Sequence, residues 1–330
     1  MVGGRALVTG ATGGLGRILT AILLARGREV IATGRDPVRG AMLLGQGARF
    51  AASDLVRDDA APLVAGVDTV FHLAALSSPW GPRADFVAAN LTMTQRLLAA
   101  ASAAGCRRFL FASTPSIYTR PAHQLDLTEA SRLPDQLVNA YAQTKLAAEQ
   151  AVQAAATPRF TTVALRPRAV IGPYDTVLLP RLLRAARSGF MPLPGYGRAL
   201  IEPTDARDVC SAFLAAEARA DVLSGQVFNI SGGHPLPLAE LADHAFRRIN
   251  QPVRAVPLPA RLVLGLAHLA ETSARLRPGS PEPALTVYAA KALGWSQTFD
   301  LAAARAALEW EPQYSPFAAI DWALQEREDA

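Results

Sequence analysis

The chain of 330 residues is poor in cysteine, lysine and aromatic side chains. Two cysteines, Cys106 and Cys210, cannot make a disulfide framework or a zinc site. The five histidines show no metal-ligand spacing, so no metal is expected. Lysine occurs twice, as Lys145 and Lys291, so the 33 basic residues are nearly all arginine. They are scattered, exceed the 28 acids only enough for a net charge of +5, and form no compact basic block; a nucleic-acid partner is not indicated. No run of about 18 apolar residues is free of a charged or polar break. The nearest, residues 258–270, contains Pro259, Arg261 and His268 and reads as a buried or interfacial helix. The opening residues run into an apolar strand with no signal-like core, which predicts a cytoplasmic protein without an integral membrane span. What is present is core material. Hydrophobic residues make up 50% and charged residues 18%, which excludes a disordered or collagen-like chain.

The first two-thirds alternates short apolar β-type runs with Ala/Leu-rich helical runs. Strands are predicted over 6–9, 29–33, 69–73, 108–112, 161–165 and 226–230, and helices over 15–25, 86–104 and 141–155. Near-continuous apolar strands joined by helical crossovers predict an α/β fold with a doubly wound parallel Rossmann sheet, covered on both faces. Beyond about residue 172 prolines cluster between short helices such as 238–249 and 301–308, which predicts a smaller C-terminal lobe capping the substrate. The expected division is 1–171 plus about 199–231 for the dinucleotide domain, with about 172–198 and 232–330 for the lobe.

Between the first strand and the first helix stands Thr9-Gly10-Ala11-Thr12-Gly13-Gly14-Leu15-Gly16, with Gly10, Gly13 and Gly16 in G-x-x-G-x-x-G spacing. Such a turn lets the backbone approach a pyrophosphate, and the helix N-terminus then offers N–H groups and a positive dipole end. The second strand indicates which dinucleotide. Where an NAD-selecting acid is expected the chain reads Gly34, followed by Arg35 and Asp36. Arg35 can clamp a 2′-phosphate, with Arg17 assisting, which favours NADP(H) over NAD(H). The other reading makes Arg35 a surface residue and gives the ribose to Asp36.

Tyr141 and Lys145 lie at i, i+4 on one helix face. The ammonium is expected to favour phenolate and lower the Tyr141 pKa toward working pH, making Tyr141 a general acid or base.

The glycine turn, the Tyr141/Lys145 pair and a hydroxyl on a preceding strand together resemble the extended short-chain dehydrogenase/reductases. Along the chain, Asp54-Leu55 resembles the family's adenine-contacting pair, and His72-Leu73-Ala74-Ala75 its H-x-A-A element beside the cofactor. Asn90 resembles its helix asparagine. Arg166-Pro167-Arg168-Ala169-Val170-Ile171-Gly172-Pro173 resembles its R-P-x-x-V-x-G-P segment near the nicotinamide, which implies Pro167 and Val170 as cofactor contacts. Asp208-Val209, Asn229-Ile230 and the segment 308–312 fit as well. Ser113-Thr114-Pro115-Ser116-Ile117-Tyr118 matches its S-[ST]-x-x-V-Y segment. That implies Thr114 as the hydroxyl on the substrate oxygen, with Ser113 and Ser116 as rivals. His72 reads as a hydrogen-bonded core residue.

Pro115-Ser116 stand where nucleotide-sugar dehydratases carry Asp-Glu, which argues against dehydration. Residues 77–82, with Ser77 and Trp80, and residues 179–182 look like the 3β-hydroxysteroid dehydrogenase branch, which includes reductases of 2-alkyl-3-oxoalkanoic acids. The resemblance thus implies hydride transfer between NADP(H) and a small-molecule ketone or alcohol of apolar, sterol-like or 3-oxoacyl-like character. Substrate contacts are expected from Ser77, Trp80, Ser116, Tyr174 and residues 189–198. It also implies a homodimer paired through the Rossmann half. Two alternatives stand beside it: a sugar or nucleotide-sugar epimerase using the same Tyr/Lys/Thr set, and a non-catalytic NADP-binding regulator.

Overall fold

The computed structural model describes residues 4–175 and 179–328; residues 176–178 of the expected lobe lie outside the described residues. Seven parallel strands form the main sheet. They are β1 (Ala6–Thr9), β2 (Val30–Gly34), β3 (Arg49–Ala52), β4 (Thr69–His72), β5 (Arg108–Ala112), and the strands Thr161–Pro167 and Gln226–Ile230. Their order across the sheet is Gln226–Ile230, Thr161–Pro167, β5, β4, β1, β2, β3, the doubly wound arrangement with its reversal between β1 and β4.

Alternate residues of each strand serve opposite cores, which explains why the strands read as continuous apolar runs. Ala6, Val8, Val30, Ala32, Phe71 and Leu110 pack with Ile18, Leu19, Val209 and Phe213. Leu7, Ile31, Val70, Phe109 and Phe111 pack with Leu97, Ala101, Ala148 and Val152. Helix α1 (Gly14–Ala25) and the Ala206–Ala218 helix thus cover one face, and the Met93–Ala103 and Ala140–Ala154 helices the other.

The expected helix over 86–104 is three segments. An α-turn Arg83–Phe86 leads into a π-helix Val87–Thr92 and then the α-helix Met93–Ala103. The extra residue of the π-turn lies around Asn90, whose carbonyl also accepts from Thr94 Oγ1 at 2.7 Å. Among the elements with no strong signal in the sequence are β3, whose residues are half-exposed at the sheet edge, and α2 (Pro37–Gly45).

The helix foreseen over 258–270 starts after Pro259 and runs Ala260–Arg275, burying Val263, Ala267 and Ala274. Among the described residues no helix is long and apolar enough to cross a membrane. Short pairings join distant parts of the chain. Val170–Ile171 runs parallel to Thr204–Asp205, and Gln124–Leu127 parallel to Gln297–Phe299. The latter brings the C-terminal quarter of the chain against the carboxyl edge of the main sheet.

Candidate active site

The glycine turn is fixed by packing. Gly10 has φ +67°, and a Cβ there would stand 2.9 Å from the Ala74 backbone, so Leu73-Ala74-Ala75 can lie against the turn only because position 10 is glycine. Ala74 N also donates to Thr9 Oγ1 at 3.2 Å. Gly13 caps α1 without a side chain, so the N–H groups of Gly14, Leu15 and Gly16 meet no side-chain cap. Backbone donors, a positive helix end and no competing side chain fit a dinucleotide pyrophosphate.

At the end of β2, a Cβ on Gly34 would meet Thr12 Oγ1 at 2.4 Å, so an acid cannot occupy that position without displacing Thr12. Asp36 is already engaged: its Oδ1 caps α2 by accepting from Val38 N at 3.0 Å and Arg39 N at 3.1 Å. Arg35 is exposed beside it. Asp54 and Leu55 follow β3, with Leu55 buried and Asp54 Oδ1 accepting from Val56 N at 3.2 Å. Arg17 stacks its guanidinium 3.6 Å from the Tyr174 ring centroid. Tyr174 O lies 2.8 Å from where a Gly14 Cβ would be. Tyr174, expected at the substrate, is thus gathered at the phosphate cradle.

The catalytic candidates converge where β5 ends and the Ala140–Ala154 helix begins. Asn139 caps the Ala140–Ala154 helix, accepting from Ala142 N at 2.9 Å, and so sets Tyr141 in the first turn. Lys145, 2% exposed, donates to the Ala112 carbonyl at the end of β5 and lies 4.0 Å over the Phe111 ring. Tyr141 shares hydrogen bonds with Thr114 and Ser77.

The expected electrostatics are reversed. Burial holds the Tyr141 phenol above its ordinary pKa, and the Thr114 and Ser77 hydrogen bonds offset only part of this. Burial also brings Lys145 down to about 7, against an upward pull from Glu149. An ammonium so weakened, with its Nζ committed to a carbonyl, does not stabilise phenolate; both groups are held toward neutrality.

Thr114 caps the short 3₁₀ turn Pro115–Tyr118. Its Oγ1 donates to Ser116 Oγ at 3.0 Å, and Ser116 Oγ shares a 2.9 Å hydrogen bond with Tyr288 OH. Ser113 Oγ is buried without a partner among the described residues and stands outside this chain of hydroxyls. Trp80 donates through Nε1 to Ser280 O at 2.7 Å, tying the loop after β4 to the C-terminal part.

Asn90 works as a bolt. It accepts from Leu76 N at 2.8 Å and donates to Thr144 Oγ1 at 3.2 Å, fixing the β4 loop to the Tyr141 helix. His72 has both ring nitrogens taken by Thr9 and Thr94 hydroxyls, and burial takes it down to about 3, a neutral core residue. Pro167 ends its strand, and Val170 pairs with Thr204 beside it. Asp208 clamps the end segment by accepting from Gln313 N and Tyr314 N at 2.9 and 3.1 Å.

Three residues of this end escaped the sequence reading: Tyr288, Arg168 and Glu202. Arg168 lay inside the R-P-x-x-V-x-G-P segment with no role. Tyr288 and Glu202 belong to no motif, because only folding brings Tyr288 to Ser116 and Glu202 to Arg168.

Comparison with known proteins gives a consistent picture. Residues 6–231 match the model of the NAD dependent epimerase/dehydratase family. The chain is 35% identical over 319 residues to the uncharacterized protein YbjS of Escherichia coli (strain K12), covering 93% of each chain. It is 34% identical over 320 residues to a 2-alkyl-3-oxoalkanoate reductase of Stenotrophomonas maltophilia (strain K279a), covering 94% of this chain and 95% of that one. In fold it resembles the solved structure of MoeE5 in complex with UDP-glucose and NAD, with a TM-score of 0.78, 24% identity and 99% coverage of each chain. The family match spans the whole main sheet and the residues lining its carboxyl edge from Gly10 to Lys145, and on that ground the chain belongs to the NAD-dependent epimerase/dehydratase family, as an NAD(P)-dependent dehydrogenase/reductase.

Proposed function

We propose that this oxidoreductase reduces the ketone of a fairly apolar, 3-oxoacyl-like substrate with NADPH. The observation that carries the reading is the convergence of Tyr141, Thr114 and Ser77 at the carboxyl edge of the sheet, the edge at which the glycine turn also lies. When bound, the reduced dinucleotide supplies a hydride to the carbonyl carbon. The protein handles the oxygen. Tyr141, kept protonated by burial, gives its phenolic proton to the developing alkoxide, and Thr114 turns its hydroxyl from Ser116 to donate to the same oxygen. Lys145, anchored at Ala112, would hold the nicotinamide ribose. Donors aimed at charge that appears only in the transition state are the source of rate enhancement.

The preference for the 2′-phosphorylated cofactor is supported at β2. Gly34 leaves no place for a ribose-binding acid, Asp36 is spent on α2, and Arg35 is free at the surface with Arg17 one turn into α1. The dinucleotide half in this reading comprises Gly10, Thr12 to Arg17, Arg35, Asp54, Leu55, Leu73 to Ala75, Asn90, Pro167 and Val170. That half spans 1–171 and about 199–231, and the lobe of 172–198 and 232–330 closes on the substrate. The protein works as a cytoplasmic homodimer, as the family resemblance implies.

The test is a fluorescence titration of NADPH against NADH. It is followed by absorbance assays of cofactor oxidation with matched sets of 3-oxo acids, their esters, 2-alkanones and nucleotide sugars. Stoichiometric oxidation of NADPH by a ketone supports the reading. Turnover of a nucleotide sugar with no net cofactor consumption would overturn it in favour of epimerisation.

A further inference from the structure

Arg168 follows directly on the Thr161–Pro167 strand, at the carboxyl edge of the main sheet, and is 5% exposed. Its backbone is held from both sides: its N–H donates to Ile230 O at 2.8 Å and its carbonyl accepts from Thr204 Oγ1 at 2.5 Å. The next residue, Ala169, has φ +41°, a left-handed conformation that an L side chain adopts at a cost. The side chain held this way is a buried cation. Among the described residues it forms no ion pair, and its Nε has no hydrogen-bond partner.

Two groups face it. One is Tyr288, whose hydroxyl bonds Ser116 Oγ at 2.9 Å and thereby continues the chain that begins at Thr114. The other is Glu202, 2% exposed, whose Oε2 accepts from Phe299 N at 3.0 Å and whose carboxyl also bonds Ser231. Burial raises Glu202 to about 7, so it is an incomplete counter-ion at neutral pH. Burial likewise drives Arg168 downward, with only Tyr288 and Glu202 opposing it. A guanidinium buried without a full partner is costly, and an incoming anion that supplies two acceptor oxygens removes that cost.

We propose that Arg168 is the carboxylate receptor of the substrate site, positioned by Tyr288 at the end of the Thr114–Ser116 hydroxyl chain, so that the enzyme selects free 3-oxo acids over neutral ketones and esters. In a 3-oxo acid the carboxyl carbon is two bonds from the ketone carbon. One small molecule therefore presents its ketone oxygen to Tyr141 and Thr114 and its carboxylate toward Tyr288 and Arg168. A neutral substrate leaves the guanidinium unpaired, and discrimination arises from that unpaired charge. The inference rests on the ketone-reductase reading above.

The experiment compares wild type, Arg168→Gln and Arg168→Lys on a 3-oxo acid and its methyl ester, with NADPH affinity and melting temperature measured alongside. For Arg168→Gln, kcat/KM on the acid is expected to fall about 100-fold while the ester changes less than about threefold, at unchanged NADPH affinity. Arg168→Lys is expected to recover part of the acid activity. A parallel loss on acid and ester, or no loss on the acid, would overturn the proposal. A second measurement separates it from the reductase reading. Calorimetric binding of 3-hydroxydecanoate and its methyl ester needs no turnover. If wild type reduces no ketone yet binds the hydroxy acid, and Arg168→Gln loses that binding while its binding of the ester is unchanged, the reductase reading fails and the carboxylate site stands. Equal binding of the acid by wild type and Arg168→Gln would end the proposal whatever the turnover.

Discussion

The two ends of the candidate site are built on different plans. At the cofactor end, eight consecutive residues from Thr9 to Gly16 and one neighbouring loop make the cradle, mostly with backbone atoms. At the proposed substrate end, Thr114, Ser116, Tyr141, Arg168, Glu202 and Tyr288 come from five separate stretches of chain, and side chains do the work. A cradle of backbone N–H groups serves a ligand common to many proteins. A set of side chains drawn from distant elements can change one residue at a time without disturbing the sheet. Recognition of the cofactor and of the substrate can therefore diverge independently on this fold.

The sharpest way to break this comparison is at Tyr141. Tyr141→Phe is expected to lower kcat about 100- to 10,000-fold and leave NADPH affinity unchanged; the two measurements together show whether the ends are separable. The converse change is Arg35→Ala, for which the NADPH dissociation constant should rise about 10- to 100-fold with little effect on NADH. Equal effects on both cofactors would return Arg35 to the role of a surface residue.

A third test joins the ends through Lys145, which lies on the Tyr141 helix and is proposed to hold the ribose. Its pKa near 7 in the free protein should rise when an acceptor-rich cofactor binds, so the protonated form binds better. Affinity for NADPH is then full below about pH 7 and declines above it, by about tenfold per pH unit of upward shift, and Lys145→Met should flatten the profile. The smallest effect is expected at the support of the substrate end. Asn139→Ala removes the helix cap ahead of Tyr141, costing about 1 kcal/mol in denaturant unfolding.

Legibility in the sequence follows the same division. The main sheet is readable because each strand buries both faces, so its apolar runs are unbroken; β3 is less so because it is the half-exposed edge strand. The cradle is readable because its residues are contiguous. Tyr141 and Lys145 are readable because helix geometry fixes an i, i+4 pair. The electrostatics of that pair are not, since burial outweighs the charge–charge effect that spacing implies. The π-turn at Asn90 is hidden because its apolar pattern matches that of an ordinary helix. Tyr288 carries no local signature, since its link to Ser116 closes a 172-residue separation, and nothing local marks Arg168 and Glu202 as neighbours in charge.

The parallel pairing of Gln124–Leu127 with Gln297–Phe299 bears on how the molecule is made. During synthesis the first of these strands leaves the ribosome long before its partner exists. The glycine turn and all seven strands of the main sheet precede Gln297 in the chain, so they can assemble before this pairing closes. A nascent chain would thus complete the glycine turn well before this pairing, an order of assembly set by where the two strands lie along the chain.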